Sequence, residues 1–187
     1  MDRNIAGAEA LQKGGIILVE TGTVLGLATR PENVEELVRV KGARKTPFTW
    51  VFSDYASLRE CWVCRTEPNG GIEGLWNERM TLVVPGRFRK RERNPLWAGA
   101  FGLGLRLGGS DSLIPLAIAA GTPYLLTSAN KKGEEPPVQY KDAPKEIRES
   151  VDGAWLGARG NGKPTSVVAW TEGGVVLLRG AMPKVFL

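Results

Sequence analysis

The chain has 187 residues, 25 Lys+Arg against 20 Asp+Glu, two cysteines and no histidine. That length predicts one domain over residues 1–187, able to bury a substantial core without a disulfide or a structural metal. The missing histidine excludes Ser-His-Asp and Cys-His nucleophile systems, a histidine general base and the mixed histidine zinc sites, so chemistry must run on hydroxyls, carboxylates, Lys/Arg and backbone dipoles.

In chain order, Ile5, Leu11 and the alanines between them predict a short helix closed by Gly14-Gly15. Met1 is followed by Asp2-Arg3-Asn4 rather than an apolar segment, and no run approaches bilayer-spanning length, so the expectation is a soluble cytoplasmic protein away from membranes. Ile16-Ile17-Leu18-Val19 is continuously apolar, the pattern of a strand buried on both faces. Pro31 opens a helix whose Val34, Leu37, Val38 and Lys41 form one stripe. Pro47 to Phe52 is the next strand, and Asp54 caps a helical run extending to Cys64. Cys61 and Cys64 stand at Cys-x-x-Cys spacing, but with no second pair and no opening of a helix they read as two small apolar residues. Further strands are expected at Met80–Val84, Gly102–Leu107, Pro123–Leu126, Ser166–Trp170 and Val175–Leu178, with a helix at Leu113–Ala120. This order predicts an α/β fold with a twisted mixed sheet flanked by helices.

Net charge of +5 favours an anionic partner such as a nucleotide, phosphate ester or RNA. The segment Arg87-Phe88-Arg89-Lys90-Arg91-Glu92-Arg93 puts five cations in seven residues, suited to attracting anions because so many charges are too costly to bury. Gly157 to Thr165 imitates a P-loop up to Lys163, yet Pro164 stands where Ser or Thr must bind Mg²⁺ and begin a helix. A glycine-rich turn feeding a strand is the better reading.

Thr127-Ser128-Ala129-Asn130 follows an apolar strand, and its serine and asparagine, two apart, can offer a donor and an acceptor to one ligand. Taken with Gly14 to Leu27, Lys41 to Phe48, Trp76 to Leu82, Gly104-Leu105-Arg106-Leu107, Pro164 to Val168 and Leu177 to Ala181, the ordered motifs resemble the Sua5/YciO/YrdC family. The resemblance implies a YrdC-like fold with a concave basic surface. It also implies the activity of the family's threonylcarbamoyl-AMP synthases, nucleotidyltransferases that join L-threonine, bicarbonate or CO₂ and ATP into the adenylate used for the t6A modification of tRNA. Carried onto this chain, Lys41 and Arg44 are the catalytic candidates. The nucleotide would meet Lys41, Arg44, Ser128, Asn130 and Arg179, while threonine would meet Thr21, Thr23, Arg106 and Ser166. Mg²⁺ is expected to arrive on the ATP triphosphate with no protein metal site, and tRNA or the t6A transferase assembly are the implied macromolecular partners.

The chain departs from the family pattern at several positions. Glu20 stands where proline is usual, Gly22 where an acid is usual and Leu25 where an aromatic is usual. The Lys-x-Arg pair reads Lys41-x-x-Arg44, and Thr165-Ser166 reverses the customary order. With that spacing, one further helical turn through Ala43 would bring Lys41 and Arg44 onto one face. The rival reading is an RNA- or nucleotide-binding paralogue with altered catalysis.

Overall fold

The computed structural model describes residues 3–42, 47–68, 71–76, 78–89, 96–107, 113–131 and 133–187. Helix α1 (Arg3–Gln12) ends before Gly14, at φ 88°, and leads into β1 (Ile17–Glu20). β2 (Leu25–Thr29) turns back against β1, and a 3-10 turn at Pro31–Asn33 opens α2 (Val34–Lys41). β3 (Thr49–Val51) and α3 (Tyr55–Cys61) follow; Asp54 caps α3 through a reciprocal box with Ser57. Then come β4 (Trp62–Cys64), β5 (Thr81–Val84), β6 (Gly86–Phe88) and β7 (Leu103–Arg106). The chain closes through α4 (Leu113–Ala120), β8 (Tyr124–Ser128), α5 (Lys145–Glu149), β9 (Gly153–Trp155), β10 (Val167–Thr171) and β11 (Gly174–Arg179).

Nine strands form one mixed sheet in the order β11-β10-β5-β7-β3-β8-β2-β1-β9, and β4 pairs with β6 apart from it. Successive strand residues face opposite sides, and two apolar layers result. Leu18, Leu25, Leu27, Trp50, Leu82, Leu105 and Leu125 join α2, α3 and α5 on one face. Ile17, Val19, Ala28, Val51, Tyr124 and Leu126 join α1 and α4 on the other. Burial on both faces is why β1 reads as an unbroken apolar run.

Two helical expectations are corrected. The run from Asp54 stops at Cys61, because Trp62-Val63-Cys64 extends to pair with β6 as Trp62↔Phe88, Val63↔Arg87 and Cys64↔Gly86; no disulfide joins the two cysteines. Nor does α2 continue through Gly42. The helix ends at Lys41, and Gly42 takes φ 84° and ψ 168°, backbone space that glycine reaches without a Cβ penalty. Arg44 lies outside the described residues.

Candidate functional site

On the face covered by α1 and α4, the sheet positions nearer β11 carry polar side chains where a helix would demand apolar ones. Thr49, Thr81 and Arg106 share strand parity with Val51 and oppose the core parity of Trp50, Leu82 and Leu105. Register assembles the floor: Gly26 pairs with Ser128, Thr49 with Leu126, and Thr81 with Arg106. The result is a cavity of about 280 Å³ bordered by Thr21, Thr23, Ser128, Asn130, Arg106 and Arg179. These six had been selected from four separate stretches of sequence. Among the described residues its lining holds two guanidinium groups and no carboxylate, an arrangement that favours an anion.

Each wall is fixed locally. The β1–β2 turn places Gly22 at φ 74°, and Thr21 Oγ1 donates to the Val24 carbonyl at 2.6 Å while lying 2.9 Å from Thr23 Oγ1. Both threonines are buried. The glycine-rich segment packs behind this turn: Gly162 N donates to the Thr23 carbonyl at 2.9 Å, and a Cβ on Gly160 would stand 2.2 Å from that same oxygen. No helix follows it; the chain runs into β10, as expected of a turn rather than a P-loop.

Arg106, 5% exposed, donates from Nη1 to the carbonyls of Met80 and Leu107, which fixes the guanidinium at the end of β7. Arg179, exposed at the end of β11, donates to the Thr165 carbonyl at 3.1 Å. Thr165 itself lies 3.3 Å from Thr81 across their hydroxyls.

The turn after β8 is organised by Lys41. Its Nζ donates to the Ser128 and Asn130 carbonyls at 2.5 and 2.6 Å and to Asn130 Oδ1 at 2.9 Å, and it lies 3.3 Å from Ser128 Oγ. Ser128 Oγ donates to Asn130 Oδ1 at 2.5 Å, and Asn130 Nδ2 donates to the Lys131 and Glu134 carbonyls. Lys41 is thus behind the turn rather than in the cavity lining, and it adds its charge from there.

Ser166 is also outside the lining: its Oγ accepts from the Ala181 amide at 3.2 Å, and the preceding Thr165 faces the cavity in its place. Glu20, the acid displaced relative to the family pattern, is occupied by backbone. Its carboxylate accepts from the Tyr140 amide at 3.0 Å and the Gly157 amide at 3.2 Å, tying both segments to β1. In the basic run, Arg87 and Phe88 belong to β6 and Arg89 Nε donates to the Arg59 carbonyl; Lys90 to Arg93 lie outside the described residues. The sequence reading overlooked Thr49, Thr127 and Pro136 as lining residues; a polar side chain at the parity of the buried Val51 was the available signal for Thr49.

A family model named for Sua5, YciO and YrdC, and described as "Telomere recombination", matches residues 9–181. An uncharacterized protein of Haemophilus influenzae is 28% identical over 91% of this chain and 85% of its own length. Among solved structures, Pyrococcus abyssi Sua5 complexed with L-threonine superposes with a TM-score of 0.78 at 20% identity, covering 94% of this chain and 53% of that one. HypF in a phosphate- and nucleotide-bound form gives 0.75 at 20% identity, over 96% of this chain and 24% of that one. Escherichia coli YciO gives 0.67 at 22% identity, over 98% and 92% respectively. The chain therefore spans about half the length of Sua5 and nearly all of YciO. With the matched segment running from α1 past β11 and the same fold in all three structures, the chain belongs to the Sua5/YciO/YrdC family.

Proposed function

We propose that the protein is a cytoplasmic L-threonylcarbamoyladenylate synthase supplying the t6A modification of tRNA. The observation that carries this reading is the convergence of Thr21, Thr23, Arg106, Ser128, Asn130 and Arg179 on one cavity, whose lining among the described residues has no carboxylate. The threonine-bound state of Sua5 and the nucleotide-bound state of HypF, on the same fold, agree with it.

In this reading Arg106, held at the end of β7 by the Met80 and Leu107 carbonyls, takes the threonine carboxylate, because a planar guanidinium can meet a carboxylate with two parallel N–H donors. Thr21 and Thr23 meet the smaller polar groups of the amino acid, with Thr165 closing the opposite side and Ser166 holding the segment behind it. Ser128 and Asn130 contact the nucleotide. Arg179, Arg44 and the Lys41 charge behind the turn neutralise the triphosphate.

CO₂ adds to the threonine amine, which loses a proton; bicarbonate supplies the same carbon with release of water. A carbamate oxygen then attacks the α-phosphorus, the bond to the bridging α–β oxygen breaks, and pyrophosphate leaves with the electron pair. The protein's contribution is to hold two anionic reactants together and to stabilise the charge that develops between them. Hydroxyls, with no carboxylate among the described lining residues, suit a Mg²⁺ ion carried in on the ATP phosphates, which would supply further charge neutralisation. Among the described residues no cluster of three metal-binding side chains is present.

The test is pyrophosphate release by purified protein in ATP, Mg²⁺ and bicarbonate, with and without L-threonine. Threonine-dependent release is the expected result. Release no greater than in the threonine-free control would leave a nucleotide-binding paralogue.

A further inference from the structure

The two edges of the nine-stranded sheet are unlike. β9 has three residues and is shielded by α1, whose Gly7 lies so near that a Cβ would stand 2.3 Å from the Ala154 carbonyl. Just beyond β9, Asn4 donates to the Leu156 carbonyl at 2.8 Å and accepts from the Leu156 amide at 2.7 Å. β11, at the opposite edge, has six residues, and among the described residues no strand pairs with its outer side.

β11 is apolar where an unpaired edge is normally guarded. Val176 pairs with Ala169 and Leu177 with Val168, so these two neighbours stand on opposite faces of the sheet. Val176, Leu177 and Leu178 are 47%, 39% and 43% exposed, which leaves both faces of the edge greasy. Lysine, proline or a mid-strand bulge usually keeps such an edge from pairing. Gly174 to Leu178 holds no charge and no proline, and the register shift of the ladder, between Val167 and Val168, comes at the far end of the strand. Charge is confined to the two ends, with Glu172 in the turn that enters β11 and Arg179 at its close.

We propose that β11 is the seam of a homodimer, in which a second copy of this chain lays its own β11 antiparallel along this edge and continues the sheet across both copies. Thr171 and Gly174 close a two-residue turn, so Val175 and Leu177 direct their amides and carbonyls away from β10 while Val176 directs its own toward it. A two-fold axis at Val176 then lets Val175 exchange backbone hydrogen bonds with Leu177 of the second copy and sets the two Val176 side chains against each other. Antiparallel order also brings the acidic turn of each copy to the Arg179 end of the other. A parallel arrangement sets like charges together, and a uniformly acidic or basic strand from another protein matches one end while opposing the other. The inference does not depend on the synthase reading, since Glu172, Val176 and Leu177 do not border the first cavity.

Sedimentation velocity of the purified protein over about 1–100 µM reads the association directly. The expected result is a mass that rises with concentration toward twice that of one chain. Val176→Lys sets two ammonium groups against each other across the axis and should raise the dimer dissociation constant at least about tenfold. Glu172→Lys, which puts like charges at both ends, should weaken the dimer less. Side-chain pairs on such an axis are close enough for a disulfide, so Val176→Cys treated with oxidised glutathione should cross-link faster than Leu187→Cys, whose site is 91% exposed but away from the seam. Wild type, with Cys61 and Cys64 half-buried, supplies the background rate. Val176 and Leu187 are exposed, so the variants should fold, as circular dichroism will check. A monomer at every concentration, a Val176→Lys dimer as tight as wild type, or Val176→Cys cross-linking no faster than Leu187→Cys would each overturn the proposal.

Discussion

Replacing Lys41 by methionine separates two ways in which a lysine beside the proposed nucleotide site can matter. A side chain reserved for phosphate would leave the free protein intact when removed. In this structure Nζ lies within hydrogen-bonding distance of four oxygens of Ser128 and Asn130, more acceptors than its three protons can serve singly. Hydrogen bonds to charged groups contribute about 1.5–3 kcal/mol each, but this partly exposed turn can recruit water, so the net loss should be about 2–3 kcal/mol. For a chain of this size that corresponds to a fall in Tm of about 5–10 °C. Thermal unfolding followed by circular dichroism, without ligand, reads it directly. The same variant should raise the KM for ATP, because the turn carrying Ser128 and Asn130 loses its anchor and the nucleotide a nearby positive charge. A ligand-free Tm within about 1 °C of wild type would refute the anchoring role and return Lys41 to phosphate binding alone.

Three further outcomes follow from particular contacts. Arg106→Lys keeps the charge but loses the planar fork, so the KM for threonine should rise on the order of tenfold while that for ATP changes less than about twofold, as steady-state kinetics will read. Gly160→Ala places a Cβ against the Thr23 carbonyl; it should cost about 1–3 kcal/mol in denaturant unfolding and weaken threonine binding through the displaced turn. Burial, reinforced by Glu67, pushes the Cys64 thiol from 9.0 up to about 12 and the Tyr55 hydroxyl from 10.0 up to about 12. The folded protein then holds protons that the unfolded chain releases, so stability is complete below about pH 9 and declines as pH rises toward 12. Tm measured across that range should show the decline, and Cys64→Ala should make it shallower.

What the sequence made legible depended on whether the signal was local. β1 and β8 were readable because burial on both faces leaves an apolar run, β5 and β7 from the leucines and valine they place in one core layer, and α3 because Asp54 and Ser57 form its cap within four residues. β9 has three residues and exists through its parallel pairing with β1, while β4 and β6 exist only through each other. Such pairings are decided across long stretches of chain and leave no period of their own. β2 was obscured by Gly26, which in the fold permits close approach to Leu126 and Thr21.

The site divides in the same way. Arg106, Arg179, Ser128 and Asn130 were marked by ordered motifs, whereas Thr49 and Thr81 are ordinary β-formers until register sets them beside Leu126 and Arg106. Glu20 resisted interpretation because its partners, the Tyr140 and Gly157 amides, lie more than a hundred residues away. Ser166 and Thr165 exchanged places for a similar reason: the amide of Ala181, beyond β11, holds the Ser166 hydroxyl and leaves Thr165 facing the cavity.

The central claim is that one cavity joins threonine, a one-carbon unit and AMP. It is tested most directly by incubating the protein with carbon-labelled bicarbonate, L-threonine and MgATP, and separating the products by chromatography with mass detection. The account predicts a labelled, alkali-sensitive adenylate containing threonine, formed only when all three substrates are present and greatly reduced in Arg106→Lys. Label that never enters an adenylate, with ATP nevertheless bound, would contradict it.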